Sequence, residues 1–254
     1  MKWLRERRRR RILSSFNWSQ QAWDEVVPEL AVLDPLPARD LIRLRDLATL
    51  FVHEKDLYGV RGLELTEPMQ LAIALQACLP ILALGMDWYR GWHSVVVYPE
   101  GFWSPREHID EAGVLHEELR PLIGEAWESG PVILSWADVL GSGERDGENL
   151  VIHEFAHKLD MADGVVNGMP PLHKGLSRQA WIDDFTAAYD DLCERVDRDE
   201  PTGIDPYASE APDEFFAVVS EAFFEIPEIL NLAYPQVYRH LRDFYRLDPL
   251  AWAA

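Results

Sequence analysis

The stretch Val151-Ile152-His153-Glu154-Phe155-Ala156-His157-Lys158-Leu159-Asp160 constrains this chain more than any other. Val151, Phe155 and Leu159 recur every fourth residue, which is the spacing of a helix face turned toward a core. On that helix His153 and His157 stand one turn apart and can turn two imidazoles to one metal ion. Glu154 sits beside them, where it can reach a water bound to such an ion. The stretch therefore predicts a helix that begins at Asn149 and stops near Gly164, with half of a zinc site on one face. His-Glu occurs at His53-Glu54, His116-Glu117 and His153-Glu154, and only the last has a histidine in the fourth position. Two surface histidines on a helix would give the same string, so a third ligand has to decide.

The regions around the motif predict an α+β chain. Residues 1–17 read as an arm, Trp18 to Leu33 as helical, and Arg39 to Glu54 as an amphipathic helix with Leu41, Leu44, Leu47, Leu50 and Phe51 on one face. Glu67 to Tyr89 reads as one hydrophobic helix, kinked or interrupted near Pro80. His93 to Pro99 and Pro131 to Trp136 are β-branched runs that predict strands, Gly113 to Leu119 is strand-like, and Gly101 to Asp110 reads as a loop. Helices are expected over Gln179 to Val196, Pro212 to about Glu225, and Pro235 to Arg246. With no internal repeat and no linker, one domain over 18–254 is the simplest organisation, with an N-terminal helical layer over about 18–90 and a basic arm over 1–17.

Composition narrows the function classes. A net charge of −20 disfavours nucleic acid as a direct partner. The charge is uneven, because seven of the 24 basic residues (Lys2, Arg5 and Arg7 to Arg11) fall in the first eleven positions. Such a start is either a frayed, solvated terminus or a contact for an anionic membrane or partner. Cys78 and Cys193 are the only cysteines, which fits a reducing cytoplasm rather than a disulfide framework. No apolar run reaches membrane-spanning length, so a cytoplasmic protein without a membrane span is expected.

A catalytic zinc takes three protein ligands and leaves a fourth position for water. The residues alone leave the third ligand open among His173, His240 and the acids Glu214, Glu221 and Glu225. Residues 214, 218, 221 and 225 share one face of the Pro212 helix. Acids there, beside Phe215, Phe216, Val219, Phe223 and Phe224, need a partner, and a metal is one. The glutamate at Glu154 argues against a purely structural zinc, which needs no base.

Asn149 to Asp163, taken with Tyr207-Ala208-Ser209-Glu210-Ala211-Pro212-Asp213-Glu214-Phe215-Phe216-Ala217-Val218-Val219-Ser220-Glu221, closely resembles the Mlc titration factor A family of bacterial zinc peptidases. The resemblance extends through Cys78 to Leu82, Trp88 to Pro99, Val114-Leu115-His116 and Gly130 to Trp136. It runs from about Trp23 to Pro249, and the Arg-rich start is the part without a counterpart. It implies a zincin-like, gluzincin-type core with one zinc per chain, held by His153, His157 and Glu214. It also implies Glu154 as general base and Tyr207 as the active-site tyrosine, whose hydroxyl can stabilise an oxyanion. His116 falls on a further zinc ligand, and four protein ligands would close the site in a latent form. Asp160 and Glu221 are candidates to orient the histidines, and the strand Pro131 to Trp136 is the expected edge for an extended peptide. The implied activity is aminopeptidase-like, on short peptides. The family's namesake role gives the alternative, a protein that sequesters the Mlc repressor of sugar phosphotransferase genes.

Overall fold

The computed structural model describes residues 3–100 and 130–252 with their side chains, and the backbone alone of residue 2, 102–109, 115–122 and 124–126. In chain order the elements are α1 (Lys2–Ser15), α2 (Gln20–Val26), α3 (Ala38–Glu54), β1 (Asp56–Gly59), α4 (Glu67–Cys78), β2 (Ser94–Tyr98), β3 (Phe102–Ile109), β4 (Leu115–Leu122), β5 (Gly124–Ala126) and β6 (Val132–Ser135). They continue with α5 (Trp136–Gly141), α6 (Leu150–Asp160), α7 (Arg178–Asp197), α8 (Pro212–Glu225), α9 (Pro227–Ala233) and α10 (Pro235–Tyr245). The fold is mixed and dominated by helices, consistent with α+β. Among the described residues no helix is long and apolar enough to cross a membrane.

The helical boundaries follow local chemistry. α2 gives way to short 3₁₀ turns at Pro28, within the stretch Trp18 to Leu33 that reads as helical. Thr66 caps α4 by accepting from the Met69 amide. The expected run to Tyr89 is interrupted at Cys78 rather than kinked: Leu79 is still helical in backbone, and Pro80, with no N–H to give, cannot continue the ladder. A 3₁₀ turn, Met86–Tyr89, follows. The Arg-rich start is a helix rather than a frayed end, with Ile12 and Leu13 packed on the core.

β1, β2 and β6 run parallel in the order β1-β2-β6, and β5 closes the far side antiparallel to β6. β3 and β4 form a separate antiparallel pair, so the segment expected to be a loop over Gly101 to Asp110 is strand over Phe102–Ile109. Trp136 opens α5 rather than ending a strand. The sheet also corrects the expectation that Pro131 to Trp136 is an edge. β6 is paired on both sides, to β2 and to β5, so its backbone groups are already used within the sheet.

Two packing relationships fix the motif helix. Phe155 of α6 is fully buried in an aromatic socket, with ring centroids 5.5 Å from Phe51, 5.2 Å from Tyr89 and 5.6 Å from Trp92. Burial of one such ring is worth about 3 kcal/mol. α8 packs along α6, and Phe215 through Glu225 are buried without a break. α7 and α10 pack against α8, where Trp181 and Phe244 lie near Phe216 and the Tyr245 hydroxyl donates to Ser220 Oγ. Both helices that carry candidate ligands are therefore core elements, which is the rigid support a metal site requires.

Candidate metal centre

α6 starts where the sequence places it. The Asn149 side chain accepts from the Ile152 amide at 2.9 Å, and after a 3₁₀ turn the chain leaves through Gly164 in the left-handed region (φ 87°). His153 and His157 then lie one turn apart, with ring centroids separated by 4.8 Å. Pro212 begins α8, and its first turn delivers Glu214 to the same point.

The three side chains converge. His153 Nε2 is 3.0 Å and His157 Nε2 3.4 Å from Glu214 Oε2, and the two Nε2 atoms are 3.2 Å apart. A tetrahedral ion with bonds near 2.0 Å sets its ligands about 3.3 Å apart, so the donor set fits a zinc-sized ion. The electrostatics agree. Burial disfavours the His153 imidazolium, yet the Glu221 and Glu214 carboxylates outweigh burial and raise its pKa well above the ordinary value. Burial likewise opposes ionisation of Glu214, and the two histidines still hold its carboxyl well below the usual range. The cluster attracts a cation.

Glu154 is buried beside it, and Oε2 has no hydrogen-bond partner among the described residues. Burial pushes its carboxyl up to about 7, against the opposing pull of His153 and His157. An orphaned buried oxygen at this position is suited to a water or a substrate proton. Tyr207 lies on the 3₁₀ turn Pro206–Ser209, which packs against α8. Its ring is half exposed and 6.1 Å from the His153 ring, between solvent and the cluster.

The acid stripe on α8 divides its roles. Glu221 Oε1 lies 2.8 Å from His153 Nδ1, and Oε2 accepts from the Asn149 amide. Glu225 accepts from Asn149 Nδ2 at 2.7 Å and from the Arg145 amide at 2.6 Å. Glu214 alone of the three reaches both histidines. His173 and His240 are elsewhere: His173 Nε2 donates to the Phe244 carbonyl, and His240 Nε2 pairs with Asp184 at 2.7 Å. The side chain of His116, on β4, lies outside the described residues.

Asp160 does not reach either histidine by any described hydrogen bond. Its Oδ2 accepts from the amides of Asn167 and Gly168, both at 2.9 Å, and so pins the loop after α6. Local sequence carries no trace of how this loop meets α8. A Cβ on Gly168 would stand 2.2 Å from the Pro212 carbonyl oxygen, so the loop touches α8 two residues before Glu214. Lys158 was also not foreseen. It is buried, its Nζ donates to the Gly130 carbonyl at 3.0 Å, and burial lowers its pKa to about 8 against the pull of Glu154. It ties α6 to the residue that leads into β6.

Comparison with known proteins matches nearly the whole chain. The profile of a family described as glucose-regulated metallo-peptidase M90 matches residues 4–246. The match takes in most of the Arg-rich start, for which the resemblance alone offered no counterpart. Among curated proteins, Mlc titration factor A of Yersinia enterocolitica is 39% identical over 232 residues, covering 90% of this chain and 86% of that protein. Mlc titration factor A of Klebsiella pneumoniae is 37% identical over 236 residues, covering 91% of this chain and 88% of that protein.

Proposed function

The chain belongs to the glucose-regulated metallopeptidase family M90, and on that premise we propose that it is a zinc-dependent peptidase, aminopeptidase-like on short peptides, with a zincin-like core of gluzincin type. The observation that carries this reading is the convergence of His153 Nε2, His157 Nε2 and Glu214 Oε2 beside the unpartnered Glu154 Oε2. His153, His157 and Glu214 would hold one zinc ion per chain. When bound, zinc supplies Lewis acidity and lowers the pKa of water to near neutrality.

The remaining roles belong to the protein's own side chains. Glu154 takes the proton from the attacking water and returns it to the leaving amine. The Tyr207 hydroxyl donates to the oxygen on which charge develops. Glu221 accepts from His153 Nδ1–H, which fixes the imidazole tautomer with Nε2 free to act as a ligand. His116 is proposed as a fourth ligand of a closed, latent state. In that case His116→Ala raises turnover of a small substrate while one zinc per chain is retained. The catalytic unit is taken as residues 18–254, in the cytoplasm.

The test is turnover of aminoacyl and peptide chromogenic substrates alongside metal content. Glu154→Gln should keep one zinc per chain and lose turnover by about 10²-fold or more. Full activity in that variant would remove Glu154 as the base.

The name of the relatives supports a second reading, in which this chain titrates an Mlc-type repressor. A pull-down with the cognate repressor, using wild type and His153→Ala, separates the two. Binding that survives loss of the metal would assign the interaction to a surface other than the catalytic centre.

A further inference from the structure

α1 is a helix with two chemically different faces. Arg5, Arg9, Ile12 and Leu13 turn inward. Arg9 donates from Nε and Nη2 to both oxygens of Glu54, at 2.7 and 2.9 Å, and from Nη1 to Asp87 at 2.9 Å. Arg5 lies 3.9 Å from Asp87 as well, and Ile12 and Leu13 pack on the core. This two-ended clamp, reaching α3 and the 3₁₀ turn Met86–Tyr89, fixes how the helix is turned.

The outward face has no such partners. Arg7, Arg8, Arg10 and Arg11 are exposed and form no ion pair with a described residue. They adjoin Leu4, and Arg7 stacks over the Trp3 ring at 5.6 Å. Trp3 is 61% and Leu4 62% exposed. An exposed tryptophan and leucine rimmed by four guanidinium groups that pair with no described residue form the kind of apolar patch with a polar border that marks an interaction surface.

The rest of the chain narrows what that surface meets. One acid, Glu6, and seven of the 24 basic residues lie in the first eleven positions, which leaves 17 basic and 43 acidic residues in the body, a net −26. A second copy could offer carboxylates to the arginines, but carboxylates alone leave Trp3 and Leu4 without an apolar environment. Duplex nucleic acid would match the arginines and leave Trp3 and Leu4 without an apolar environment. An anionic bilayer satisfies both: headgroups take the arginines, and the interface takes the tryptophan and leucine.

We infer that the outward face of α1 is a docking surface for anionic phospholipid, which holds the protein at a membrane reversibly while the acidic body faces away. The inference is independent of the catalytic reading. It calls for a peripheral contact through one helix, consistent with the absence of a described helix able to span a bilayer.

The test mixes the full-length protein with phosphatidylcholine vesicles, with or without phosphatidylglycerol, and reads the bound fraction by co-sedimentation. Binding should require the anionic lipid and weaken as salt rises. Replacing Arg7, Arg8, Arg10 and Arg11 together by Gln leaves Arg9 in place and should lower affinity roughly fivefold per arginine. The same four positions changed to Lys keep the charge and should bind like wild type, which controls for a folding defect. Trp3→Ala with Leu4→Ala should weaken binding without altering its salt dependence. Equal binding to neutral vesicles, or undiminished binding by the Gln variant, would overturn the proposal. Tighter retention on duplex DNA than on anionic vesicles would transfer the surface to nucleic acid, and self-association abolished by the Gln changes would transfer it to a second copy. Either result sinks the lipid assignment.

Discussion

Glu221 holds His153 from behind: its Oε1 lies 2.8 Å from Nδ1, while its other oxygen accepts from the amide of Asn149, the residue that caps the same helix. One buried carboxylate thus fixes both the start of α6 and the orientation of its first histidine. Loss of such a partner behind a ligating histidine costs about 10- to 100-fold in metal affinity. Glu221→Ala should therefore bind zinc that much more weakly in a chelator competition. An unchanged affinity would mean that His153 is oriented without it.

Gly168 governs the other ligand helix. Its φ is +74°, and a Cβ there would stand 2.2 Å from the Pro212 carbonyl oxygen. Gly168→Ala therefore meets backbone strain and a backbone collision together, at a cost above about 1 kcal/mol. Because Pro212 opens the helix that bears Glu214, the variant should also lose zinc affinity. A wild-type melting temperature would refute the contact.

Asn149 makes three contacts from one side chain. Oδ1 caps the Ile152 amide, and Nδ2 donates to Gln76 at 2.8 Å and to Glu225 at 2.7 Å. An N-cap alone is worth about 1 kcal/mol. Asn149→Ala also strips a donor from a buried carboxylate, so its destabilisation should exceed that figure. Denaturant unfolding measures it. A loss at or below the cap value would mean that Gln76 and Glu225 find other partners.

The acid limb of activity should report Glu154. Burial raises its carboxyl to about 7, and a base must be ionised to act. kcat/KM should therefore rise with pH and fall away at acid values, with a midpoint at or below about 7 because a bound cation favours the carboxylate. The sign for stability is the opposite. The folded form holds the Glu154 proton between its ordinary value of 4.5 and about 7, so in metal-free protein this group's contribution is largest in acid and is lost as pH rises through 7. Glu154→Gln should remove that contribution. A kcat/KM profile flat from mild acid to neutrality would exclude Glu154 as the titrating base.

Features written in local periodicity were legible in the sequence. The motif helix, its cap at Asn149, its stop at Gly164 and the acid stripe of α8 all depend on neighbours within a few residues. The interior position of β6 was not legible, because its antiparallel partner β5 is the three-residue stretch Gly124–Ala126, too short to show a pattern. The docking of α1 was hidden for a different reason. The partners of Arg9 lie 45 and 78 positions away, and a run of arginines reads the same whether one member is clamped or all are solvated. Nothing local marks Gly168, because its constraint comes from the Pro212 backbone. His173 and His240 were reasonable ligands by type, and only their hydrogen bonds to Phe244 and Asp184 remove them.

His153 and Glu214 touch across 61 positions of chain. During synthesis the histidine pair therefore emerges well before the carboxylate, with the whole of α7 between them in the chain. If the three residues hold the ion as proposed, a nascent or partly unfolded chain would offer it only two imidazoles, a weak and unselective grip. Tight capture would then be confined to a late stage of maturation, after α8 has docked on α6.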